Sequence, residues 1–232
     1  EWILSDNGLG MLTAGQTTPT SYFVDAAERE KKGGQAFYSC LEYNSEIYFG
    51  SDNGRVWCYQ KENGQFQLQN LPASSRIVSI NSVEGNELIF TTAKDGFFSY
   101  QPKTKAIEHF PASRFPNASI HSVYVDKASE VWFEQHIPGT VVHFNPRTRI
   151  LKQEKVPVEP TSTDRSRPAF HIHEDINGVL WVHPYGGGFS YFDRKSNSLH
   201  PFYNSLSGSD WRFSNKIHAA LSMTFRALVS LV

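Results

Sequence analysis

The chain has 232 residues, with 22 Lys and Arg against 23 Asp and Glu, for a formal charge of −1. That balance excludes a generally basic nucleic-acid binder and a polybasic membrane patch, and a chain with 14% aromatic and only 19% charged residues is not a disordered one. No stretch approaches the ~18 apolar residues of a membrane span, the N-terminus Glu1-Trp2-Ile3-Leu4 lacks the basic region and cleavage site of a signal peptide, and two cysteines cannot make a disulfide scaffold.

In chain order, one pattern recurs: a short apolar run, a turn with glycine, then an aromatic strand. It reads Glu1-Trp2-Ile3-Leu4-Ser5-Asp6-Asn7-Gly8 and then Glu46-Ile47-Tyr48-Phe49-Gly50-Ser51-Asp52-Asn53-Gly54. It returns at Glu87-Leu88-Ile89-Phe90 ending at Gly96, at Glu130-Val131-Trp132-Phe133 ending at Gly139, and at Val179-Leu180-Trp181-Val182 ending at Gly188. The anchors Trp2, Tyr48, Ile89, Trp132 and Trp181 are spaced by 46, 41, 43 and 49 residues. Periods of that length mean solenoids, propellers or arrays.

Strand chemistry selects among them. Each unit reads as four short β-branched and aromatic strands, A to D, with turn signals between them, and helical periodicity is nearly absent. In the third unit A is Arg76–Val83, B is Glu87–Thr92, C is Phe97–Tyr100 and D is Ala106–Phe110. The C–D turn Gln101-Pro102-Lys103-Thr104-Lys105 recurs one unit later as Asn145-Pro146-Arg147-Thr148-Arg149. The pattern predicts an all-β chain, a β-propeller of about five four-stranded blade units. The units run roughly 1–34 with 214–222, then 35–72, 76–112, 118–157 and 169–204, as one propeller domain or a fragment of a larger one. The first unit lacks strand A, and Ser214–Ser222 reads as one, so strand exchange between the termini is one way to close a ring. An open crescent and an edge-pairing dimer are the others. The B–C turn glycines supply positive φ, so a β-branched residue at Gly54 or Gly188 should misplace strand C. Asp25–Gly34 is short and charged and reads as an exposed turn or loop.

The stretch Phe170-His171-Ile172-His173-Glu174-Asp175-Ile176-Asn177-Gly178-Val179-Leu180-Trp181-Val182, continued by Gly186-Gly187-Gly188-Phe189-Ser190-Tyr191-Phe192-Asp193, resembles the two-component regulator propeller repeat. Ser214–Ser222 looks like the start of another copy. The resemblance implies a periplasmic sensor domain of a Bacteroides-type hybrid two-component system. Such a domain recognises an oligosaccharide and signals to a histidine kinase, as a homodimer in the full-length sensor. No cofactor, metal or nucleic acid is implied, and a membrane only through segments outside this chain. Family propellers have seven blades, and Met223–Val232 does not continue the repeat, which implies a cut-out or prematurely ended sensor fragment, for which a frame-shifted gene is one origin.

In an antiparallel meander the B–C and D–A connections emerge on one face. The B–C loops are Ser5–Asn7, Ser51–Asn53, Ala93–Asp95, Glu134–Pro138 and His183–Gly187, and the D–A connections include Ala112–Asn117 and Pro157–Pro168. Loops carry function, and a sugar needs an aromatic platform with planar polar groups. The candidate ligand-binding residues are therefore Lys94, Gln135, His136, Arg167, His183 and Tyr185. The competing readings are a propeller glycosidase or lyase and a protein-interaction propeller. Against the glycosidase, Asp175 sits in the A–B turn on the opposite face, where Asp175-Ile176-Asn177-Gly178 reads as a turn former and Asp126 holds the equivalent place. His171 and His173 share a strand face and could bind a metal, but no third ligand is fixed by spacing. Cys40 and Cys58 fall in strands A and C of the second unit, about 9–10 Å apart, so two free, buried thiols are predicted.

Overall fold

The computed structural model describes residues 1–24, 35–115, 120–135, 140–156, 170–184, 189–202, 219–222 and 228–231. The Asp25–Gly34 stretch lies outside them. Two compact units divide the chain at residue 118. Apart from a 3-10 turn at Ala112–Arg114, every regular element among the described residues is a strand.

The first unit begins with β1 (Trp2–Ser5), β2 (Gly8–Met11) and β3 (Thr20–Tyr22), a three-stranded sheet in sequence order. These are strands B, C and D of a blade without A. A complete meander follows in β4 (Phe37–Tyr43), β5 (Glu46–Ser51), β6 (Val56–Gln60) and β7 (Gln65–Gln69), and a second in β8 (Ile77–Val83), β9 (Glu87–Thr92), β10 (Gly96–Gln101) and β11 (Ala106–Pro111). The expected boundaries of the third unit hold to within a residue.

The B strands of the two complete meanders, β5 and β9, are covered on both faces, and their composition says why. All six residues of Glu87–Thr92 are buried. Tyr48, Val56 and Cys58 of one sheet pack with Ile77, Ile80, Leu88, Phe90, Phe98 and Tyr100 of the next. The opposite face of the β4–β7 sheet packs Phe37, Ile47 and Phe49 against Leu9, Trp2, Leu4 and Tyr22 of the first sheet. At Gly50 the sheets touch so closely that an added Cβ would lie 2.4 Å from Ser39 Oγ and 2.6 Å from Ile77 Cβ.

The second unit holds β12 (Ile120–Val125), β13 (Val131–Gln135), β14 (Thr140–Asn145) and β15 (Ile150–Lys155), then β16 (Phe170–Glu174), β17 (Leu180–Pro184), β18 (Phe189–Asp193) and β19 (Ser198–Phe202). Trp132, Val141, Val156, Ile172, Leu180, Val182 and Phe192 form the core between these two sheets. The chain ends in β20 (Ala219–Ser222), whose hydrogen-bonded neighbour is β21 (Leu228–Leu231). Of the Ser214–Ser222 segment expected to act as a strand A, Ala219–Ser222 is a strand, and residues 214–218 lie outside the described residues. In the first unit β1 has β2 as its neighbour among the described residues.

The turns repeat as the strands do. Gly64, Lys105, Arg149 and Asn197 hold one position in four C–D turns, with φ of 70°, 57°, 59° and 51°. In the first three the amide donates to the carbonyl four residues back. At the B–C turns of the first unit a hydroxyl clamps the bend. Ser5 Oγ donates to Gly8 O at 3.0 Å, Ser51 Oγ to Arg55 O at 2.9 Å, and Thr92 Oγ1 to Gly96 O at 2.8 Å. The expected positive φ is present at Gly8, Gly54 and Gly96; Gly139 and Gly188 lie outside the described residues.

Candidate functional site

A groove of about 600 Å³ opens on the B–C/D–A face of the first unit, lined by Tyr38, Asp52, Ser74, Ser75, Arg76, Ala93, Lys94 and Asp95. The backbone builds it in three steps. First, the register of β4 against β5 shifts between Phe37 and Ser39, a β-bulge that leaves Tyr38 unpaired. Bulges re-aim a side chain, and Tyr38 is 47% exposed although it lies in a strand. Second, the Thr92 clamp shapes the turn that carries Lys94, because Asp95 N donates to Thr92 Oγ1 at 2.8 Å. Third, the Asp95 carboxylate reaches back to the D–A connection and accepts from Ser74 N, Ser74 Oγ, Ser75 N and Ser75 Oγ at 2.8–2.9 Å. Ser75 Oγ in turn accepts from Lys94 N at 3.0 Å. Two connections that are 20 residues apart in sequence are thus tied together, and Arg76 follows the knot directly.

The groove's charges differ in how far they are committed. Burial pushes the Asp95 carboxyl up, but the donors from Ser74 and Ser75 outweigh it and hold the group below its ordinary value. The Arg76 guanidinium carbon lies 5.1 Å above the Tyr38 ring, a cation–π distance. The Tyr38 hydroxyl donates to Asp6 Oδ1 at 3.1 Å, and that bond raises the phenol above its usual range. Neither the Arg76 guanidinium nor the Lys94 ammonium has a carboxylate partner among the described residues, and Asp52 Oδ1 is buried without a hydrogen-bond donor.

Of the sequence-derived site residues, Lys94 is exposed on the wall of this groove. Gln135 ends β13 and His183 lies in β17, both without described side chains, and His136, Arg167 and Tyr185 lie outside the described residues. Asp52 and Asp95 belong to the B–C loops expected on the ligand face, although neither is among the candidate residues, and Tyr38 and Arg76 lie outside those loops. The available signal was Arg76, a cation at the head of a strand A immediately after a Ser-Ser connection.

The opposite end of the second unit is structural, as the turn reading of Asp175 expects. Asp126 Oδ1 accepts from Ala128 N and Glu130 N, and its Oδ2 accepts from Trp132 Nε1 at 2.9 Å. Asp175 repeats this with Asn177 N, Val179 N and Trp181 Nε1. Arg194 joins the two blades, donating to Asp126 Oδ2 at 3.1 Å and to Glu174 Oε1 at 3.5 Å. Between the same blades His143 stacks on Trp132 at 4.3 Å, with Nδ1 3.2 Å from Glu130 Oε2 and Nε2 3.3 Å from Glu154 Oε1.

His171 and His173 do share a face of β16, opposite His183 and Trp181. Among the described residues no cluster of three or more His, Cys, Asp or Glu could hold a metal ion. Both cysteines are free, but only Cys58 is buried. Cys40 corrects the expectation. It lies on the sheet face shared with Phe49 and Trp57, which is covered by the first sheet, and that sheet has three strands. Burial, then the Glu46 carboxylate, pushes the Cys58 thiol up to about 12.

No protein-family model and no curated protein matches the chain. Solved structures do. One is described as the extracellular domain of a hybrid two-component system, BT3049, of B. thetaiotaomicron: TM-score 0.59, 14% identity, 88% of this chain and 29% of that one. Virginiamycin B lyase of Staphylococcus aureus matches with a TM-score of 0.61 and 18% identity, over 85% of this chain and 63% of the lyase. The fold is a β-propeller. An auxiliary nutrient binding protein of Bacteroides ovatus matches at 0.51 and 11% identity, over 72% of this chain and 42% of that one. The propeller chain described here therefore spans less than a third of the two-component domain and just under two thirds of the lyase. No helix among its described residues is long and apolar enough to cross a membrane.

Proposed function

We propose that this propeller is part of the periplasmic ligand-sensing domain of a hybrid two-component regulator, that it recognises an oligosaccharide and that it catalyses no reaction. The observation that carries the reading is the groove at Tyr38, Arg76 and Lys94. An aromatic ring, a planar guanidinium and an ammonium converge there on the loop face, held by the Asp95 knot rather than by flexible loops. Such preorganisation favours binding. The fold shared with an extracellular two-component domain supports the sensor role. In the full-length protein, signal would pass to the histidine kinase through altered packing between two sensor protomers.

The lyase neighbour supports a second reading, a propeller enzyme. Calorimetry with a panel of plant and host oligosaccharides, run beside a turnover assay on the same panel, separates the two. The sensor reading expects heat without product, lost in Arg76→Ala. Product formation rejects it, and the absence of heat with every glycan favours a protein-interaction propeller.

A further inference from the structure

We infer that the groove selects acidic oligosaccharides, whose carboxylate or sulfate group is held between Arg76 and Lys94. The inference rests on the groove being the sugar site. The four charged side chains lining it are Arg76, Lys94, Asp52 and Asp95, a formal balance of zero, but they are not equally available. Asp95 spends its carboxylate on four donors from Ser74 and Ser75. Its negative charge is answered inside the protein, and its lone pairs are turned away from a ligand.

Arg76 and Lys94, by contrast, are exposed and without carboxylate partners among the described residues. The guanidinium lies over the Tyr38 ring, a contact that leaves its N–H edge free to meet two oxygens of one acidic group side by side. Lys94 is fixed on the opposing turn because its own amide is bonded to Ser75 Oγ, next to Arg76. Asp52 Oδ1 is buried without a hydrogen-bond donor, so that oxygen too is turned away from a ligand. The arrangement therefore matches a sugar that carries an acidic group better than a neutral one.

The test uses the 232-residue chain and matched pairs of probes. Tetragalacturonate is compared with its fully methyl-esterified form, and a sulfated carrageenan tetrasaccharide with its desulfated form, by calorimetry at 50 and 300 mM NaCl. The acidic member of at least one pair is expected to bind at least 10-fold more tightly than its neutral partner, and less tightly in high salt. Whichever pair responds identifies the acid. Arg76→Gln and Lys94→Gln, exposed changes whose folding is checked by thermal melts, are each expected to weaken that binding about 10-fold. Equal binding of the acidic and neutral members, or binding unaffected by either variant, overturns the acidic selectivity. If the neutral sugar then loses affinity in Arg76→Ala, the groove reading survives alone. Binding of no glycan overturns both.

Discussion

The side chain of Asp175 bonds forward to Trp181, its Oδ2 accepting the indole N–H at 3.1 Å while Oδ1 takes the amides of Asn177 and Val179. The carboxylate is the one group that suits this place, since all of its partners are donors. In Asp175→Asn the amide nitrogen must face either the indole N–H or two backbone N–H groups, a donor against donors whichever way it flips. A loss of about 2–3 kcal/mol in unfolding free energy is expected, read by urea denaturation. Trp181→Phe, which keeps a ring but removes the donor, should cost about 1–2 kcal/mol. An Asn variant as stable as the parent would mean that the brace contributes nothing.

The knot at Asp95 makes the groove sensitive to one residue that need not touch a ligand. Asp95→Ala frees Ser74 and Ser75 from the turn of Lys94 and removes four hydrogen bonds. About 2–4 kcal/mol of stability should be lost, together with protease protection at the Leu71–Arg76 connection. Limited proteolysis with mass mapping reads the second effect, and unchanged protection would show that the connection is held by other contacts.

Much of the architecture is readable from residues because the causes are local. A strand covered on both faces must be apolar at successive positions, so Ile47-Tyr48-Phe49 and Leu180-Trp181-Val182 announce themselves, and so do the glycines that need positive φ at the bends. The groove is less readable because its causes are long-range. Whether Tyr38 faces the core or solvent depends on the bulge between Phe37 and Ser39, which a strand-like composition does not reveal. Asp95 looks like any turn aspartate until Ser74 and Ser75, 21 and 20 residues away, are brought beside it. The exposure of Cys40 likewise depends on how many strands the neighbouring sheet possesses.

Acid should loosen the fold through two carboxylates. Burial pushes Glu130 up, but the hydrogen bond and charge of His143, with Asn145 and Arg194, outweigh it and hold the group below its ordinary value; Asp95 is lowered as well. A folded-state pKa below the unfolded one gives stability that is fully present above the unfolded value and is lost as pH falls through the folded one. Chemical denaturation should therefore give a flat stability between about pH 6 and 7 for these two groups and a decline below about pH 4. The Glu130→Gln, Asp95→Asn double variant should show a shallower acid decline, and an unchanged slope would assign it to other carboxylates.

The two thiols should separate cleanly by reactivity. Cys40 is exposed, with a thiol that partial burial raises above its ordinary value, whereas Cys58 is buried and its thiol is raised to about 12 by burial first and by Glu46 second. Thiolate is the reactive form, so Cys58 offers almost none of it at neutral pH. Ellman's reagent at pH 8 should titrate one thiol in the native chain and two in 6 M guanidinium, and Cys40→Ser should leave the native chain silent. A native count of two would show that strand β6 opens on the time scale of the assay, which its buried position between β5 and β7 argues against.

Strand packing gives the last and largest effect. Gly96 has φ of +87°, and a Cβ built there would lie 2.1 Å from Phe110 O and 2.8 Å from Ala112 N. Both atoms belong to backbone, so the clash cannot be relieved by turning a side chain. A β-branched residue adds the penalty of a left-handed conformation to this overlap. Gly96→Val should lose more than about 3 kcal/mol and displace β10 from β11. Gly85, with φ of +84° and no heavy atom within 4 Å of its built Cβ, is the matched control. Gly85→Ala carries the conformational cost alone, about 1–2 kcal/mol. Melting curves of Gly96→Ala and Gly85→Ala should differ by the steric part, and equal losses would show that the turn at Gly96 yields more readily than its backbone neighbours suggest.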